Sequence, residues 1–66
     1  MNEGSTSIYY KLGEKEIFLH KSQYVPAVND VVSVYDVLYR VIYRKWTYLH
    51  NPYETFLKVD VGIEEL

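Results

Sequence analysis

The sequence predicts an all-β protein, a small antiparallel sheet of about five strands arranged as an SH3-like barrel or a meander. Three observations carry this. Over residues 31–49, twelve of nineteen side chains are β-branched or aromatic, types that lose χ1 freedom in a helix but pack well on a pleated surface. Short stretches on either side alternate apolar and polar residues with a period of two. Turn formers separate them: Gly13, Pro26, Asn29, Asp30, Asn51 and Pro52.

The elements follow in order. Residues 1–7, with Gly4 and three hydroxyl side chains, read as a flexible N-terminal tail. In 8–12, Ile8, Tyr10 and Leu12 share one face and Tyr9 and Lys11 the other. Gly13–Lys15 forms a turn, and 16–20 the second strand of a hairpin. Residues 21–30 connect onward, because Pro26 cannot donate to a ladder and holds Val25 extended. Two strands, 31–35 and 37–49, meet at a bend marked by Asp36. The periodicity of 31–49 also suits a helix, and its composition decides for strand.

Residues 53–61 alternate again, with Tyr53, Thr55, Leu57, Val59 and Val61 on one face. His50–Pro52 would be the hairpin loop before them. Setting Leu49 opposite Tyr53 pairs Tyr43 with Val59 and Val41 with Val61. One face is then almost wholly apolar, with Tyr39 and Tyr43 in the core. The other face sets Trp46 against Phe56, with Asp60 diagonal to Arg44 and Arg40. The domain spans 8–63, and 64–66 is an acidic C-terminal end.

A chain of 66 residues is one domain that buries only about 60 % of its unfolded surface. Small domains compensate with staples or self-association. With no cysteine, disulfides and thiolate metal sites are excluded, and His20 and His50 are too isolated to suggest a metal site. No apolar run approaches the roughly 20 residues of a membrane helix, and the N-terminus lacks a signal-peptide pattern. The expectation is a cytoplasmic protein without a membrane partner. It also includes a homodimer.

Catalytic chemistry is poorly represented. No Gly-rich phosphate loop, nucleophile elbow or metal-ligand spacing occurs, and Glu64–Glu65 reads as a solvated end. No catalytic residue, metal or cofactor is expected. The net charge of −2 is uneven. Residues 36–50 hold Arg40, Arg44 and Lys45 against Asp36, a balance of +2.

On a strand, Arg40, Ile42, Arg44, Trp46 and Tyr48 project to one side. Arg40, Arg44, Trp46 and Tyr48, with Phe56 on the neighbouring strand, are the candidate binding residues. Tyr, Trp and Arg are enriched at protein-binding hot spots, so a protein partner leads. Aromatic rings beside cations also suit single-stranded nucleic acid, although three cations on an acidic chain are few. Two other readings stay open: a nucleotide-like ligand held between subunits, and a second small core capped by arginine stems.

Pro26, Asp30, Val31, Val32, Val34, Tyr39, Val41, Arg44 and Trp46 form a pattern of Pro, Asp, a Val-rich strand, then Tyr-x-Val-x-x-Arg-x-Trp. It resembles small β-rich accessory proteins of bacteriophages and mobile elements over a third of the chain. Asn29 stands where that pattern usually has Gly. The resemblance implies a protein that works by binding, such as an inhibitor of a host enzyme or defence system. It supplies no catalytic residues.

Overall fold

The computed structural model describes residues 6–50 and 55–66, with side chains described for 6–48 and 57–66. Five strands follow one another: β1 (Thr6–Leu12), β2 (Lys15–Ser22), β3 (Val31–Val34), β4 (Val37–His50) and β5 (Thr55–Glu65). They form one sheet in the order β2-β1-β5-β4-β3. The all-β expectation holds. β1 takes in Thr6 and Ser7, and β5 takes in Glu64 and Glu65. Residues 1–5 of the expected tail and most of the expected 50–52 loop lie outside the described residues.

The sheet is mixed, not antiparallel throughout as expected. β1–β2, β3–β4 and β4–β5 are antiparallel, whereas β1 and β5 run parallel, with Ile8 beside Val59, Tyr10 beside Val61 and Leu12 beside Ile63. The cause is arithmetic. In an up-and-down order of five strands, the first and last point the same way, so bringing them together makes a parallel pair. The curl is open between β2 and β3, the two outer strands. There Phe18 of β2 meets Tyr35 of the β3–β4 turn edge to face, ring centroids 5.8 Å apart.

The concave face holds the core: Ile8, Tyr10, Val34, Tyr39, Val41, Val59, Val61 and Ile63 are all buried. Leu12, Ile17, Phe18, Val25, Val32 and Val37 pack around them. Removing such side chains from water is worth about 1.5–3 kcal/mol each before entropy is counted, and no charged side chain is buried among the described residues. Phe18 bridges the core to the rim, with its ring 5.7 Å from Tyr10 and stacked at 6.1 Å on His20.

Turns use positive φ where the strands need tight reversal. Gly13 takes φ 67° in the β1–β2 hairpin. Tyr35 and Asp36, at φ 51° and 68°, make the two-residue β3–β4 turn; positive φ at both central positions matches the strand twist. The connection before β3 is pinned to β4. The Asn29 N–H donates to the Val41 carbonyl at 2.8 Å, and the Val41 N–H donates to the Asp30 carbonyl at 2.9 Å. The Asp30 carboxylate accepts the Ala27 N–H at 2.8 Å, closing the turn locally.

The β4–β5 register differs from the expected one. Thr47 pairs with Lys58, Lys45 with Asp60, Arg44 with Val61 and Tyr43 with Gly62, three residues beyond the predicted alignment. Between Val41 and Tyr43 the register shifts, leaving Ile42 as the extra residue of a β-bulge. An extra residue reverses the alternation of everything after it. Tyr39 and Val41 therefore face the core, while Tyr43 lies on the convex face, 43 % exposed. Its ring lies over Gly62, where a Cβ would overlap it.

Candidate functional site

The bulge divides the expected binding row. Arg40 pairs with Glu64 on the convex face, its guanidinium 3.9 Å from the Glu64 carboxylate. Ile42 and Tyr43 lie on that face too. Past the bulge, Arg44, Trp46 and Tyr48 pair with Val61, Val59 and Leu57, so they continue the concave, core-bearing face. Five alternate residues do not share one side; three do.

Those three form a continuous row. The Arg44 guanidinium carbon lies 6.0 Å from the Trp46 ring centroid, at the outer limit of a cation–π contact. Trp46 is 43 % exposed and Tyr48 71 % exposed, although Val59 beside Trp46 is fully buried. The row is thus the open margin of the core.

Strand length creates this margin. β1 accompanies β5 only over Lys58–Ile63, and β3 accompanies β4 only over Val37–Arg40. The fourteen residues of β4 run past β3 from Ile42 onward and past β1 only from Tyr48, so that Tyr48–His50 with Thr55–Leu57 form a two-stranded end. The long axis of the molecule, 42 Å against 24 and 18 Å, reflects a strand whose rise alone gives roughly 46 Å.

Phe56 pairs with Leu49, not Trp46, and its side chain lies outside the described residues. Asp60, expected near Arg44 and Arg40, sits opposite Lys45 and beside Tyr9 on the convex face. One of its carboxylate oxygens, Oδ1, is buried without a hydrogen-bond partner. Nearby, the Lys58 ammonium lies 4.8 Å from the Tyr9 ring centroid, so the convex face has its own local charge balance.

The remaining titratable candidates do not converge. Glu64 and Glu65 are successive strand residues, opposite Arg40 and Tyr39 respectively, and so point to opposite faces. His20 is exposed and stacked on Phe18. Burial raises the pKa of the Tyr10 hydroxyl above its ordinary value. Among the described residues no group of three or more His, Cys, Asp or Glu could hold a metal ion, and no helix is long and apolar enough to cross a membrane.

Sequence reasoning missed the bulge that divides the candidate row. A signal for it was present in Gly62, a glycine inside an otherwise alternating strand, which marks a bulge or a close approach. Compared with known proteins, the chain matches no family model, no curated protein and no solved structure.

Proposed function

We propose that this chain is a non-enzymatic binding module that docks a protein partner through Arg44, Trp46 and Tyr48. The observation that carries the reading is the exposed row of a guanidinium, an indole and a phenol at the open margin of the core, on the part of β4 that runs past the end of β3. Such side chains bury large area while keeping a polar handle. The paired backbone of β4 and β5 spaces them along one face, and side chains placed in advance lose less entropy on docking. In fold terms we place the curled five-stranded sheet with SH3-like small barrels, and in biological terms with cytoplasmic accessory or inhibitor proteins of the kind its Val-rich strand pattern resembles.

Nucleic acid is the weaker alternative. The bulge removes Arg40 from the row and gives it to Glu64, leaving Arg44 as the cation beside the two rings. Affinity for a phosphate backbone grows with the number of phosphates neutralised.

The test is affinity capture from bacterial lysate by the tagged protein and its Trp46→Ala variant, each with and without nuclease, read by mass spectrometry. Circular dichroism checks that the variant is folded. A protein retained after nuclease and lost with Trp46→Ala is the expected result. Partners that vanish with nuclease would move the assignment to nucleic acid, and partners that Trp46→Ala retains would remove this row from the interface.

A further inference from the structure

Resting on the binding-module reading, we propose that the unpaired edge of β4 from Ile42 to Tyr48 takes up an extended acidic peptide as an added strand. β3 pairs with β4 only over Val37–Arg40, and Asn29 and Asp30 extend that pairing to Val41. Beyond Val41, among the described residues, β4 has backbone partners on its β5 side alone. The free edge is seven residues long, roughly 23 Å at strand rise. A row of unpaired N–H and C=O groups of that length is a template for another strand, and an added strand draws affinity from the ladder and specificity from alternate side chains.

The side chains along this edge define the guest. On the concave side stand Arg44, Trp46 and Tyr48; on the convex side Tyr43, Lys45 and Thr47. No acid lies within 42–48. Among the described residues, neither Arg44 nor Lys45 makes an ion pair, whereas Arg40 has Glu64. Asp60, on β5 directly opposite Lys45, does not close a salt bridge to it. An incoming strand therefore meets one cation on each face, so whichever face carries its acidic side chains finds a cation to complement them.

The same charges argue against a second copy. Two β4 edges paired together would gather two Arg44 and two Lys45 with no acid among them, and like charges close across strands are destabilising. A charged residue and a bulge are also devices by which edges avoid self-pairing. Here they exclude copies of the chain while admitting a strand of opposite charge, which is specificity by repulsion. Nucleic acid would answer the cations but leave the backbone ladder unmet.

The single tryptophan supplies the readout, because Trp46 stands on the edge itself. The probes are a capped octapeptide of alternating Val and Glu, its Val–Lys counterpart, and two Val–Glu versions N-methylated at odd or at even backbone nitrogens. Trp46 emission should shift on titration with the Val–Glu peptide. Affinity should fall about tenfold or more for the Val–Lys peptide and for one of the two N-methylated versions, the one whose ladder donors face β4. Equal binding of both N-methylated peptides would overturn strand addition, and so would equal binding of the Val–Glu and Val–Lys peptides or no binding at all. Those results would leave a Trp46-dependent partner captured from lysate untouched, so the two readings fail separately. A sedimentation mass rising to two chains, with the peptide displaced, would give the edge to a second copy and also overturn the proposal.

Discussion

Phe18 and Tyr35 meet edge to face across the opening between β2 and β3, where the described residues carry no backbone ladder between the two strands. Tyr35 makes this contact from φ 51°, a left-handed conformation that costs a non-glycine residue about 1–2 kcal/mol. An aromatic pair returns about 0.5–1.5 kcal/mol beyond its buried area. The two terms nearly offset each other, which explains how a bulky residue holds a turn position better suited to Asn or Gly.

Two substitutions separate those terms. Tyr35→Ala loses the ring contact and keeps the strain, so it should destabilise by about 1 kcal/mol. Tyr35→Gly loses the same contact but relieves the strain, and should recover about 1 kcal/mol relative to Ala. Urea unfolding midpoints at constant m-value check the order. An alanine variant as stable as the glycine variant would mean that the turn is not strained.

Gly62 and Tyr43 divide one volume between two strands. A Cβ at Gly62 overlaps the Tyr43 ring, so Gly62→Ala should cost about 1–3 kcal/mol by overpacking. Truncating the ring should relieve that clash, making the cost of Gly62→Ala smaller in a Tyr43→Ala background. A double-mutant cycle measures the coupling. Additive losses would show that the ring does not depend on the missing Cβ.

How far the fold was legible follows from which signals are local. The alternation of Ile8, Tyr10 and Leu12, and of Val59 and Val61, put these residues on the core face, because period-two burial is written in consecutive residues. The bend at Asp36 was legible for the same reason. The parallel β1–β5 pairing was not, since it joins the two ends of the chain and depends on strand number. The β4–β5 pairing was misread in two places: Leu49 already faces Phe56 in place of Tyr53, and "VIYR" looks the same to composition with or without a bulge. That one extra residue, Ile42, put Tyr43 outside the core and left Arg44, Trp46 and Tyr48 as the candidate row without Arg40.

Alkaline pH should weaken the fold through Tyr10. Burial raises its pKa above the ordinary 10.0, so the folded state holds the phenolic proton more tightly than the unfolded state does. Below the unfolded value both states are protonated and the stability is fully present. As pH climbs past it, the unfolded chain ionises first and stability falls until the folded pKa is passed, by at most about 1.4 kcal/mol per pH unit for one proton. Urea midpoints measured from about pH 9 to 11 should fall less steeply for Tyr10→Phe than for the parent chain. Identical slopes would mean that other groups govern the alkaline loss.

Arg40 and Arg44 should behave as different residues despite their spacing. An exposed ion pair such as Arg40–Glu64, with both side chains about half exposed, is worth about 0.2–1 kcal/mol at most. Arg40→Ala should therefore unfold at nearly the parent urea concentration and capture the partner as the parent does, because the bulge turns Arg40 to the convex face. Arg44→Ala should also remain folded, since its side chain is exposed and makes no ion pair among the described residues. It removes the cation beside Trp46, however, and capture should weaken by about tenfold, the scale of an interface residue worth more than 1 kcal/mol. The comparison is made by quantitative pull-down of the two variants side by side. Equal losses would mean that the partner wraps both faces of β4, and a loss confined to Arg40→Ala would move the interface to the convex side with Glu64.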